Sequence, residues 1–301
     1  MPAFLITAHD QPELLAGMVR KLSPHPVFVH INQSVSISPF EKLLSSYDHV
    51  SLVPKEKSIQ TSWGGFSLVK AQLLMLNMAN ESIDSNDYFV SLTGRDFPIK
   101  PISHFQNFLF QNLNKQHIGY FEIQRDMRDF QVFIQNMYFY DYVSRFVLDP
   151  SDSQFLRRII NKTLNGKFPK PYAWSHFSRT NSIVCGYPRF AVQKSIIEGI
   201  ANTDIESAEK FFKFGHAPDD MFFHTLIHNS EYKENCTPGV VSYDGSSILS
   251  LKKAIPHFWC NEHYQHLIDD SALEHLKTCD SFFARKFCIN KSSKVLAELG
   301  I

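Results

Sequence analysis

Ala3-Phe4-Leu5-Ile6-Thr7-Ala8-His9, then Pro12, then Pro26-Val27-Phe28-Val29-His30-Ile31 decide the fold. The first and third pieces are unbroken apolar runs, the mark of strands covered on both faces. Between them Leu14, Leu15, Met18, Val19 and Leu22 recur at helical spacing behind a proline, which starts helices well. A strand, a crossover helix and a second strand read as the start of a parallel sheet. Such sheets bind ligands beyond the carboxyl ends of their strands, which places His9 and Asn32 near a pocket. No G-x-G-x-x-G follows the first strand, so the dinucleotide fingerprint is missing.

Outward from this unit the alternation continues. Residues 40–47 read as helix and 49–53 as a third strand. Trp63-Gly64-Gly65 leads into a helix carrying Leu68, Val69, Leu73, Leu74, Leu76 and Met78. Two glycines before a helix allow close backbone approach, and the helix start offers N–H groups to an anion. An indole beside them can stack on a base or a sugar. Residues 87–92 form a fourth strand that ends in Thr93-Gly94-Arg95-Asp96. This is either a contact to substrate or a tight turn with a buried Arg–Asp pair. Residues 104–113 read as helix, 118–123 as strand, 182–192 as one strand run and 193–201 as helix.

Residues 124–181 differ in kind. Arg125, Asp126, Arg128 and Asp129 precede Phe130, Phe133, Tyr138, Phe139, Tyr140 and Tyr142; Arg157, Arg158, Lys162, Lys167 and Lys170 follow. The segment reads as an insertion over the sheet, either an aromatic-cored helical cap or a grip on a second substrate or an anionic surface. The expected organisation is one domain in three parts: residues 1–123, this insertion (124–181) and residues 182–301.

Ala217-Pro218-Asp219-Asp220-Met221-Phe222-Phe223-His224-Thr225-Leu226 is the candidate for chemistry. Pro218 is pre-set for a first helical turn, and the macrodipole favours carboxylates there. A carboxylate on a rigid helix start is a good mount for a general base; an acidic helix cap is the plainer reading. Near the other end, Phe282-Phe283-Ala284-Arg285-Lys286-Phe287 sets two cations among aromatics. Half-burying such a pair is costly unless an anion meets it, and a diphosphate would.

Lys plus Arg and Asp plus Glu number 30 each, which excludes a global basic field for nucleic acid. Aromatics reach 14%, with 27 Phe, which suits a heavy core and stacking surfaces. The five cysteines are scattered, with no C-x-x-C, so a disulfide framework or a cysteine-rich zinc site is not expected. With no leader-like start and no run of eighteen apolar residues, the expectation is a cytoplasmic protein. Peripheral contact with the inner face of a membrane is a further expectation.

Together these pieces resemble the inverting glycosyltransferase family of core-2/I-branching β-1,6-N-acetylglucosaminyltransferases and peptide O-xylosyltransferases. The motifs that carry the resemblance are residues 4–9 with Pro12, residues 29–34, Trp63-Gly64-Gly65-Phe66-Ser67-Leu68-Val69, and Leu92 to Ile99. Pro218 to Leu226 and Phe283 to Phe287 complete it. It runs from about residue 3 to 288 and is poor across the insertion.

The resemblance implies a GT-A fold, a UDP-sugar donor, inversion and no divalent metal. The residues agree on the metal, since no Asp-x-Asp ends a strand. It implies that Asp220 is the catalytic base, that Arg285 and Lys286 stabilise the departing diphosphate, and that His9, Asn32, Trp63, Gly64, Gly65 and Thr225 contact the donor. Arg95, Asp96, Tyr187 and Arg189 are then acceptor-side candidates. Three departures stand out. Asp220 replaces the family's Glu, about 1.5 Å shorter in reach. Asn32 replaces an Asp at the uridine site. No upstream phosphate-binding Arg aligns, and Lys252 or Lys253 are substitutes for it. The expected partners are a nucleotide-sugar and an oligosaccharide or lipid-linked glycan acceptor. A bacterial enzyme of surface-glycan synthesis fits the cysteine pattern. The rival reading is a non-catalytic sugar- or nucleotide-binding module on the same scaffold.

Overall fold

The computed structural model describes residues 1–80, 83–84, 87–142, 159, 162–201, 205–243, 258–260 and 267–301. Arg157, Arg158, Lys252 and Lys253 lie outside them.

The chain opens as β1 (Pro2–Ala8), α1 (Pro12–Leu22), β2 (Val27–Ile31), α2 (Ser38–Leu44), β3 (Val50–Leu52) and α3 (Ser67–Ala79). It continues as β4 (Tyr88–Thr93), β5 (Asp96–Pro98), α4 (Ile102–Gln111), β6 (Gln116–Glu122) and α5 (Arg128–Gln135). Then come β7 (Val184–Gly186), β8 (Ala191–Gln193), β9 (Cys236–Val240), β10 (Phe258–Cys260) and β11 (Phe283–Arg285), with helices Lys194–Ala201, Ile205–Phe212 and Phe222–His228 between β8 and β9.

The main sheet runs β3-β2-β1-β4-β8-β6-β7, with β9 also on β6. β3, β2, β1 and β4 are mutually parallel, β8 is antiparallel to β4 and β6, and β9 is parallel to β6. This is the α/β, mostly parallel arrangement expected from the opening residues. Alternation along β1 explains its two covers. Ala3 and Leu5 join a core with Val69, Met75 and Leu76 of α3. Phe4 and Ile6 join a second core with Leu14, Leu15 and Met18 of α1, Phe40 of α2 and Phe105 of α4. Thus α3 covers one face, and α1, α2 and α4 the other.

Two sequence readings are corrected. The run 182–192 is two strands, β7 and β8, because Pro188 has no N–H for a ladder. The chain crosses there from the β6 edge to the gap between β4 and β6, so a strand from beyond the insertion lies inside the sheet begun before it. The second correction concerns Pro218. It does not open the helix that follows. Pro218–Asp220 is a separate 3-10 turn, Met221 breaks it at φ −127°, and the α-helix starts at Phe222.

A small sheet, β10-β11-β5, sits at the carboxyl edge of β4. Its antiparallel β11–β5 ladder sets Arg285 opposite Asp96.

Candidate active site

The acidic turn is held from outside rather than by a helix dipole. Ala217 adopts a left-handed backbone, φ 45° and ψ 57°, which costs a non-glycine residue roughly 1–2 kcal/mol. Its N–H donates to the Gly64 carbonyl at 3.1 Å, so the Gly64-Gly65 loop and the Asp219-Asp220 turn are docked together. Gly64 itself sits at φ +74°, and a β-carbon there would meet the Tyr140 ring at 3.0 Å.

Gly65 also has a packing reason to lack a side chain. A β-carbon on it would lie 2.1 Å from Asp141 Oδ1. Asp141 accepts the Ser67 N–H at 2.9 Å through Oδ2 and the Ser67 hydroxyl through Oδ1. The start of α3, expected to receive a substrate anion, is therefore capped by the chain's own carboxylate. Trp63 stays 73% exposed, its edge against Tyr140 and His216, each 5.7 Å away between centroids. Burial lowers the His216 pKa to about 4, so its Nδ1, 2.8 Å from the Tyr140 hydroxyl, belongs to a neutral ring.

A charge cluster is centred on Asp96, which is 1% exposed. Arg189 Nε donates to Asp96 Oδ2 at 3.0 Å, and Arg285 Nε lies 3.0 Å from Oδ1. The Thr93 N–H and hydroxyl also donate to Oδ2, at 2.5 and 3.0 Å. Asp219 feels both guanidinium groups. Burial raises its pKa to about 6, against the pull of its own N–H and of Arg189 and Arg285. Behind the turn, the Cys185 thiol is pushed up by burial and by the charges of Asp220 and Asp219. The charges of Arg189 and Arg285 thus reach the acidic turn.

Lys286 belongs to an adjoining cluster. Arg95 clamps Asp10 with Nε at 2.9 Å and Nη2 at 2.5 Å, and its Nη1 donates to the Phe287 carbonyl at 3.0 Å. Burial opposes ionisation of Asp10, but the Arg95 hydrogen bond and the charges of His9, Arg95 and Lys286 outweigh it and hold its pKa low. Burial lowers the Lys286 pKa, as do the charges of Arg285 and Arg95, while Asp10 opposes them. His9, at the end of β1, is exposed, with Nε2 3.5 Å from Asp10. Among the described residues, no group of three or more His, Cys, Asp or Glu is arranged to hold a metal.

Several candidates lie in the protein interior. Thr225 and Tyr187 are fully buried. The Thr225 hydroxyl ties the helix Phe222–His228 to β7 through the Val184 N–H and carbonyl, at 3.2 and 3.3 Å. Tyr187 packs inside the second core, and its carbonyl faces His224 Nε2 at 3.0 Å. Asp96 and Arg189 are buried partners of each other, and Arg95 is a largely buried staple between β1 and the C-terminal segment. All five of these side chains, Thr225 on the donor side and the other four on the acceptor side of the expected site, are engaged or buried within the protein. The Asn32 side chain is turned inward: its Nδ2 donates to the Thr61 carbonyl at 3.0 Å, and its Oδ1 accepts from Thr61 and Ser34. Asp10, Asp141 and His216 carry no motif of their own; only adjacency to His9, Tyr140 and Ala217 points to them.

The raised Asp219 pKa has a signed consequence. Between roughly pH 4 and 6 the folded chain binds a proton that the unfolded chain has released, so this group's contribution to stability falls as pH rises through that window. Asp219→Asn is therefore expected to raise the melting temperature at pH 7.5, with the gain vanishing near pH 4. A melting series over pH checks both.

The Core-2/I-Branching enzyme family model matches residues 3–280. Xylosyltransferase sqv-6 of Caenorhabditis elegans is 23% identical over 281 residues, 88% of this chain and 32% of that protein. The chain thus spans about a third of the length of this curated relative. The structure of mouse xyloside xylosyltransferase 1, apo form, superposes with a TM-score of 0.34 at 11% identity, covering 97% of this chain and 99% of that one. With the family match running along nearly the whole sheet and through the acidic turn, the chain belongs to the Core-2/I-Branching enzyme family of glycosyltransferases.

Proposed function

We propose that the chain transfers a sugar, of the N-acetylglucosamine or xylose type, from a UDP-sugar to a glycan hydroxyl with inversion and without a divalent metal. The observation that carries this reading is that the Arg285 charge acts both on Asp219 of the acidic turn and on Lys286 beside it. Asp220 takes the proton from the acceptor hydroxyl as that oxygen attacks the anomeric carbon. The bond to the leaving phosphate oxygen breaks with its electron pair on the diphosphate. Lys286 and the outer nitrogens of Arg285 meet that charge, while Arg285 Nε stays anchored on Asp96. Trp63 and the Gly64-Gly65 backbone border the donor.

Sugar transfer from UDP-N-acetylglucosamine and UDP-xylose in excess EDTA tests the reading, after a thermal-shift panel of UDP-, GDP-, CMP- and dTDP-sugars. Undiminished turnover in EDTA is expected; strict Mn²⁺ dependence contradicts it. Lys286→Ala is expected to lower kcat/KM for the donor roughly 100-fold while the fold melts as before. The inward-turned Asn32 and the shortened Asp220 favour the second reading, a binding module without turnover. Donor binding with no transfer and no hydrolysis selects that reading.

A further inference from the structure

The insertion carries a surface to which the proposed transfer step assigns no role. Residues 153–197 contain eight Lys or Arg and no Asp or Glu, in a chain balanced at 30 and 30. Buried Lys170 and Arg189 account for two of the eight. Lys162, Lys167 and Arg179 are exposed. Interleaved with them are Leu164, Phe168 and Tyr172, at 38%, 49% and 79% exposure. The Arg179 guanidinium lies 3.5 Å from the centre of the Tyr172 ring.

This face is outward because its backbone is fastened, not because it lacks structure. The Met137 N–H donates to the Phe168 carbonyl at 2.7 Å, Gly166 N–H to Met137 at 2.9 Å, and Lys170 N–H to Gln135 at 2.8 Å. Lys170 anchors the strap from below, its buried ammonium 4.2 Å over the Phe211 ring. The strand of chain it is tied to leads to Tyr138 and Tyr140, which contact His216, just ahead of the acidic turn.

We propose that the strap 162–172 with Arg179 is a membrane-surface anchor that seats on anionic lipid, with Leu164, Phe168 and Tyr172 entering the headgroup boundary. Cations with no acidic neighbours in sequence match an anionic leaflet, and each contributes about fivefold to partitioning, ~1 kcal/mol. Three cations alone bind weakly. The apolar side chains between them supply the rest and distinguish a lipid surface from a polyanionic glycan, which needs no exposed leucine or phenylalanine. The surface does not depend on the transferase reading, because vesicle binding needs neither donor nor acceptor.

The test is co-sedimentation of the whole chain with phosphatidylcholine vesicles, with and without phosphatidylglycerol. Binding is expected only with phosphatidylglycerol, and to weaken with salt. Lys162→Gln/Lys167→Gln should bind roughly 25-fold more weakly. Leu164→Ser/Phe168→Ser should lose tenfold or more, with both variants melting like the parent. Three results overturn the proposal: no binding of the parent to anionic vesicles, either double variant binding at full strength, or binding to heparin but not to vesicles.

Discussion

Asp220→Asn should leave UDP-sugar binding intact and lower kcat by two to four orders of magnitude, the usual range for removing a general base. The substitution keeps shape and removes the negative charge together with the capacity to take a proton. The turn that carries it is held by the Ala217–Gly64 hydrogen bond and by its own backbone, so the fold should be unaffected. A donor-induced melting shift equal to that of the parent, beside single-turnover transfer, separates binding from chemistry. Asp220→Glu restores the family's residue and should retain activity. Full activity in Asp220→Asn would move the base to Asp219, which shares the turn and whose pKa burial raises to about 6.

The second large effect falls on Asp96, buried between two guanidinium groups. Asp96→Asn removes the negative charge between Arg189 and Arg285, both within 3.0 Å. Uncompensated charge left in a buried site costs about 3–5 kcal/mol. The loss should appear as a melting temperature lower by many degrees. In the fraction that stays folded, donor affinity should fall too, because Arg285 loses the anchor that aims it. Denaturant unfolding measures the first effect, and donor titration at a temperature well below the new transition measures the second. Unchanged stability would show that the two guanidinium groups reach solvent when Asp96 is neutral.

The strands and helices were readable because their residues repeat at the spacing that burial demands. Phe4, Ile6 and Ala8 against Ala3 and Leu5 already describe a strand with two covers. The acidic turn, the basic pair and Trp63-Gly64-Gly65 were readable as chemistry, since each sets a costly group where a ligand would relieve the cost. What local spacing could not carry was partnership. Arg95 and Asp96 are neighbours in sequence and read as one pair, yet Arg95 turns to Asp10 and Asp96 to Arg189 and Arg285. Thr225 and Tyr187 lie in or near site motifs and are buried structure.

From its residues alone, this chain's parallel sheet, its family and the short list of groups able to do its chemistry were determined, because apolar periodicity and motif order are properties of the string. Which carboxylate meets which cation, and which helix start is already filled by Asp141, was decided only by the tertiary structure. Ion pairing depends on distance in space, and the β11–β5 register joins positions nearly two hundred residues apart.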